Sequence, residues 1–259
     1  MEKNFKLKNF LFIIAHPDDE VVGTTTIIKK LLEEKNKVYI FFLTNGVISE
    51  KYLMFWQKKN IKKMKIVRKS EMKLSLKELG INNFFFQDIP TRSLKEKIYD
   101  TYLKIKKIIV KNKIDVLFCP AYEGGHQDHD VANFICSKFQ SKCDIFEYPE
   151  YNFYNNKINC NSFFDKRGNQ KIHILSDQEK FFKKNCLKIY SSERKNLGYI
   201  KFDKESYRRL QKYDYSQPPH LGILFYRRYS FFSWHPRVDA DKPEKICQII
   251  TSSKIFNFK

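Results

Sequence analysis

Five consecutive apolar residues, Phe10–Ile14 (FLFII), run directly into Ala15–Glu20 (AHPDDE). An apolar run of this length without alternation fits a strand covered on both faces of a parallel sheet. Such a strand ends in the protein interior, where an unpaired carboxylate is costly. A solvated turn needs one Asp or Asn, whereas this one carries three carboxylates and a histidine within five positions. The pattern implies that something positive sits at the end of the strand.

Further runs of the same kind follow at 38–43 (VYIFFL), 83–86 (NFFF), 115–119 (DVLFC) and 143–148 (CDIFEY). Helical patterns separate them. Val22, Ile27, Ile28, Leu31 and Leu32 mark a helix over 21–34, and Met64, Val67, Leu74 and Leu79 one within 49–79, with Gly80 as its stop. Ile98, Leu103, Ile105 and Ile109 mark a third over 94–110, and a fourth is predicted from His129 to Phe139. The alternation predicts a doubly wound, Rossmann-like α/β fold with a mostly parallel sheet in residues 1–150. No Gly-x-Gly-x-x-Gly follows the first strand, which argues against a dinucleotide site. No Pro/Gly/Ser linker separates residues 151–259, so they are expected to pack on the sheet as an extension of the same domain and to shape the substrate pocket. There, Ser176–Glu179 reads as a capping box opening a helix over 176–190, and 221–230 (LGILFYRRYS) reads as a strand.

Bulk properties narrow the function less than the motifs do. No apolar run approaches the roughly 18 residues of a membrane span, and the basic start of the chain meets HPDDE rather than a small-residue cleavage site. Six scattered cysteines without a Cys-x-x-Cys predict reduced thiols and a cytoplasmic location. The formal charge of +20 draws anionic partners. The lysines alternate with Ile and Leu along the chain, as solvated helix faces do, and no nucleic-acid module is present. Nucleic acid is therefore not expected as a partner; peripheral contact with an anionic membrane stays open.

Ligands of an open α/β sheet sit at the carboxyl ends of its strands. Two segments bring chemistry to that edge: AHPDDE after the first strand, and 120–130 (PAYEGGHQDHD) after the fourth. His16 and Asp19 flank a turn stiffened by Pro17, and His129 from the second segment completes a set of two histidines and one carboxylate. Three protein ligands with a vacant fourth position are characteristic of catalytic zinc. Asp18 is then left over to take a proton from metal-bound water. Zinc lowers the pKa of that water from 15.7 to about 7, a shift on the order of 12 kcal/mol in favour of hydroxide. His173 reads as a strand residue, and His220 (in YSQPPH, 215–220) and His235 as candidate pocket residues.

These two segments resemble the hallmark motifs of the LmbE-like, or PIG-L, zinc-dependent N-deacetylases: AHPDDE after the first strand and a later His-x-Asp-His, here His126–His129 with Gln127 where the family usually has proline. Thr44–Gly46 (TNG), Arg68 with Glu71, Leu79–Gly80 and Tyr190–Glu193 (YSSE, with Glu193 where the family has Gln) extend the likeness, which covers residues 9–148 well. The resemblance implies His16, Asp19 and His129 as metal ligands and Asp18 as general base. It implies His126 as the second catalytic histidine, Asp128 as the carboxylate that orients a histidine ring, and Arg68 as a ligand for a substrate hydroxyl or phosphate. With His220 as a further substrate contact, the expected activity is removal of the acetyl group from an N-acetylated amino sugar, small or lipid-linked. Zinc is the expected cofactor, with Fe²⁺ as the other candidate metal. A zinc hydrolase of another amide or ester, a deacetylase of a thiol-precursor glycoside and a non-catalytic basic binder are the competing readings.

Overall fold

The computed structural model describes residues 5, 7–232, 234–235 and 238–258. Seven strands form one sheet: β1 (Asn9–Ile14), β2 (Lys37–Phe42), β3 (Asn83–Phe86), β4 (Val116–Pro120), β5 (Asp144–Tyr148), β8 (Lys171–Ile174) and β9 (Lys204–Arg209), in the order β3-β2-β1-β4-β5-β9-β8. A separate two-stranded ribbon joins β6 (Tyr151–Asn152) to β7 (Asn159–Cys160). The first five strands of the sheet order are parallel; β9 runs antiparallel to β5, and β8 antiparallel to β9. The expected doubly wound α/β architecture holds.

Side chains on β1 alternate between two cores. Phe10, Phe12 and Ile14 join one, beneath α1 (Asp19–Glu33), α3 (Ile61–Leu79) and α6 (Asp177–Ile189). Leu11 and Ile13 join the other, beneath α4 (Ile98–Asn112), α5 (Gln127–Ser137) and α7 (Pro243–Thr251). A stack of Phe12, Phe118 and Phe146, with centroids 4.7 and 5.3 Å apart, ties β1, β4 and β5 together on the first face. Burial on both faces is what removes polar alternation from these strands.

The chain crosses from β3 back to β4, on the other side of β1, so the topological switch lies between β1 and β4. Ligands of such sheets bind at that point, outside the carboxyl ends of the strands. AHPDDE leaves β1 there, and the 121–130 loop leaves β4.

Three expectations need correction. The helical pattern within 49–79 is broken into a turn at Glu50–Tyr52, the short α2 (Phe55–Lys58) and α3. The inward face of α3 is Arg68, Glu71, Met72, Ser75, Leu76 and Leu79, whereas Met64 and Leu74 are 42% and 54% exposed. Polar residues take inward positions because they serve the site described below. The segment 221–230 is not a strand: it carries a short 3₁₀ turn at Phe225–Arg227 and runs into a second at Ser230–Phe232. Leu224 and Phe225 cover a loop instead, while Leu221, Ile223 and Tyr229 are exposed. Phe225 N donates to the Gly124 carbonyl at 2.8 Å, and the Phe225 ring packs on Tyr151 and Tyr199.

The extension joins the sheet through β9 (KESYRR), whose charges hid it from a hydrophobicity reading. Glu205 and Arg208 are fully buried and paired: Glu205 Oε1 with Lys183 of α6 at 2.8 Å, and Arg208 Nε with Glu147 of β5 at 2.7 Å. The capping box at Ser176 forms both of its bonds and starts α6 as expected. All six cysteines are free. Among the described residues no helix is long and apolar enough to cross a membrane.

Candidate active site

The β1–α1 turn is held in a strained shape. Asp18 has φ 123° and ψ −28°, a region that disfavours any residue but glycine, at a cost of about 1–3 kcal/mol. Glu20 helps to impose it. Its Oε2 accepts from Asp18 N at 3.0 Å, while its Oε1 accepts from Ser75 Oγ at 2.6 Å and from the Tyr190 hydroxyl. One of the three carboxylates of AHPDDE is therefore a buried clamp between α1, α3 and the end of α6. Arg68 supplies the other restraint: its Nη2 donates to the Pro17 carbonyl and lies 3.3 Å from Asp18 Oδ2.

The turn delivers His16 and Asp19 to His129, on the first turn of α5. His16 Nδ1 lies 3.0 Å from Asp19 Oδ2; His129 Nε2 lies 3.2 Å from the same oxygen and 3.2 Å from His16 Nδ1. Three ligand atoms thus converge from two loops 113 positions apart in sequence. A tetrahedral ion with donors about 2.0–2.1 Å away sets those donors roughly 3.3 Å apart, and a mixed nitrogen and carboxylate set suits zinc. The residues fit a divalent cation.

The rings are also backed by carboxylates. Asp128 Oδ2 lies 3.1 Å from His16 Nε2. A proton on that nitrogen leaves the Nδ1 lone pair facing Asp19 and His129. The loop after β3 aims Asp128: Arg92 N and Thr91 Oγ1 donate to Oδ2 at 2.6 and 3.2 Å, and Leu94 N donates to Oδ1 at 3.2 Å. Behind His129, Glu150 Oε1 lies 3.7 Å from Nδ1; this nitrogen and both Glu150 oxygens are buried without a hydrogen-bond partner. Gly23 of α1 leaves room there, since a Cβ would lie 3.2 Å from Glu150 Cγ and 2.6 Å from the Tyr148 ring. His126 caps α5, its Nδ1 accepting from Asp128 N at 3.1 Å, with its ring 4.4 Å from that of His16. Asp130 Oδ1 accepts from Glu123 N and Gly124 N and so shapes the two-glycine loop.

Burial and neighbouring charges act against each other throughout the site. Burial would raise Asp19, but His129 and His16 outweigh it and hold the group well below the usual carboxylate range. Burial would lower His16, but Asp19 and Asp128 outweigh it and raise the ring to about 10. Burial pushes Asp18 well up, against Arg68 and with the help of Asp19 and Glu193. Glu150 is pushed well up by burial and then by Asp19. His126 is held well below its ordinary value by burial and by His16, so its ring is neutral.

Of the residues singled out from the sequence, the structure brings His16, Asp18, Asp19, Arg68, His126, Asp128 and His129 together. His220 does not join them. Its ring lies between Tyr154 and Phe164, at 5.4 and 5.3 Å, and neither ring nitrogen has a hydrogen-bond partner. An aromatic niche in the extension accounts for its burial, and the substrate contact expected of it finds no support there. His173 lies on β8, bonded to Lys30 and Glu179. Sequence reading missed Glu150 and the 91–94 loop. Glu150 carried a signal, because it stands two residues past the carboxyl end of β5, on the same edge as the two motifs. The 91–94 loop contributes backbone N–H groups, which no sequence pattern marks.

The sequence model of a family described as "PIG-L: GlcNAc-PI de-N-acetylase" matches residues 11–139. No curated protein sequence matches the chain. Among solved structures, the chain is similar to the zinc-inhibited form of teicoplanin deacetylase Orf2, with 12% identity, 80% of this chain and 99% of that one covered, and a TM-score of 0.61. It is similar to the A40926 pseudoaglycone deacetylase Dbv21, with 12% identity, coverage of 81% and 99%, and a TM-score of 0.62. It also matches N,N'-diacetylchitobiose deacetylase from Pyrococcus horikoshii, with 17% identity, coverage of 82% and 84%, and a TM-score of 0.56. At these identities the likeness is one of fold.

Proposed function

Because the chain belongs to the PIG-L family of hydrolytic N-deacetylases, we propose that it removes the acetyl group from an N-acetylated amino sugar, releasing acetate and a free amine. The observation that carries the reading is the convergence of His16, Asp19 and His129 within 3.2 Å beside the strained carboxylate of Asp18, which is not one of the three ligands. The fold neighbours named for teicoplanin, A40926 pseudoaglycone and diacetylchitobiose deacetylation support an acetylated glycoside as the substrate class.

His16, Asp19 and His129 would hold the metal, and two imidazoles with one carboxylate are a donor set that suits zinc. Bound there, zinc supplies a Lewis acid and a water acidified toward neutral pH. Asp18 takes the proton from the attacking water; its Oδ2 is kept in place by Arg68 at 3.3 Å. The neutral ring of His126 accepts at Nδ1 from Asp128 N, so its proton is on Nε2. That N–H is a preorganised donor for the charge developing on the acetyl oxygen, the type of contribution that usually dominates such barriers. The amine leaves with the proton that Asp18 took from the water, while the neutral His126 ring keeps its own. Asp128 positions His16 and does not touch the substrate.

The test is Asp18→Asn, with acetate release from a methyl N-acetylglucosaminide and zinc content read on the same preparation. Turnover is expected to fall by about 10²- to 10⁴-fold, the scale of a lost general base, with zinc retained. Unchanged turnover removes Asp18 from the chemistry.

A further inference from the structure

A cavity of about 410 Å³ opens beside the base, among Gly46, Asn60, Lys63, Val67, Arg68 and Glu193. Its size is that of a ligand site, and its inner end is the guanidinium that touches Asp18. Gly46 makes the approach possible. At φ +69°, a Cβ there would lie 2.8 Å from Arg68 Nη2 and 2.9 Å from Nε, so the guanidinium rests against bare backbone.

Two carboxylates share that one guanidinium. Asp18 Oδ2 faces Nη2 at 3.3 Å, and Glu193 Oε1 faces Nη1 at 3.7 Å. Arg68 Nε and Nη1 are nevertheless buried without a hydrogen-bond acceptor. Glu193 is not loosely placed. Glu71, one helical turn after Arg68, accepts from Ser191 Oγ at 3.0 Å, Ser192 N at 2.9 Å and Ser192 Oγ at 2.6 Å, and so pins the turn that carries Glu193. Asn196 Nδ2 donates to the other oxygen of Glu193. Lys63, the remaining charge on the lining, is exposed at the mouth, where solvent screens it.

The inner end therefore offers unspent N–H donors beside a carboxylate acceptor, with local charge of two acids against one base. A phosphate can use the donors but meets the carboxylates as like charges, which costs several kcal/mol when they are juxtaposed. A sugar hydroxyl donates and accepts at once, and so satisfies both. Resting on the deacetylase reading above, we propose that Glu193 is a specificity-determining residue that reserves this pocket for a neutral, hydroxyl-bearing part of the substrate and rejects a phosphorylated one. This narrows the hydroxyl-or-phosphate role expected of Arg68 to the hydroxyl.

The probes are methyl N-acetylglucosaminide and N-acetylglucosamine 1-phosphate. Each is titrated into the zinc-loaded native protein and the Glu193→Gln variant by calorimetry, and each is assayed for acetate release. The native protein is expected to favour the neutral probe. Glu193→Gln is expected to raise the phosphate-to-neutral ratio of affinities and of kcat/KM by about tenfold or more, as loss of a like charge predicts, with the change in KM rather than kcat. Glu193→Ala should move the ratio the same way. A native preference for the phosphate, an unchanged ratio in both variants, or no binding of either probe overturns the proposal. The two readings fail separately: a shifted binding ratio without acetate release sinks the deacetylase reading alone, and acetate release with an unshifted ratio sinks the charge filter alone.

Discussion

Two of the regions in which this molecule buries charge treat it in opposite ways. Between α1, α6 and β9, Lys183 Nζ reaches Glu205 Oε1 at 2.8 Å and the Val22 carbonyl at 2.7 Å, and Glu205 Oε2 accepts from Thr26 N, Thr26 Oγ1 and Ile27 N. Nearby, all three nitrogens of the Arg208 guanidinium have partners, among them Glu147, Asp165 and Tyr213. At the carboxyl ends of β1 and β4 the groups are as deeply buried, yet His129 Nδ1, both Glu150 oxygens and two Arg68 nitrogens have no hydrogen-bond partner, and Asp18 is strained. Buried polar groups in a finished structure are satisfied. A region that satisfies all of its charge is holding elements together, while one that crowds charge and leaves atoms over is prepared for something it binds.

That contrast can be broken from either side. The largest stability effect belongs to the closed network. Lys183→Met leaves Glu205 buried without its counter-ion, which costs about 3–5 kcal/mol for a broken buried pair. The measurement is the denaturant midpoint, and zinc affinity of the folded fraction should be nearly unchanged. A large loss of zinc affinity would show that the two regions are not separable. On the other side, Asp128→Asn removes the carboxylate behind His16. It should weaken zinc binding by about 10- to 100-fold, the usual effect of a partner behind a ligating histidine, with a smaller change in the midpoint. Equal zinc affinity would mean that Asp128 serves the 91–94 loop and not the ring.

What could be read in advance divides along the same line. The five parallel strands and the two motifs at their switch point were legible, because apolar runs and close-spaced ligand residues leave local signals. β9 was not, since its buried charges are neutralised by Lys183, Glu147 and Asp165, which are distant in sequence. The inward face of α3 was misread for a similar reason: Arg68, Glu71 and Ser75 look solvent-facing until Asp18, Ser192 and Glu20 are brought to them. Glu20 was visible as a residue of the motif, but not its role as a clamp on Ser75 and Tyr190. In the segment 221–230, Leu224 and Phe225 cover the Gly124 loop and do not pair in a sheet.

The central claim is that His16, Asp19 and His129 hold one divalent cation. Equilibrium dialysis against zinc, with metal per chain counted by plasma mass spectrometry, tests it most directly on the native protein and on Asp19→Ala. The account predicts one chelator-removable zinc per native chain and affinity at least about 100-fold weaker in the variant, beyond the scale of a lost supporting group. Native protein that binds no zinc, or a variant that binds it equally well, would contradict it.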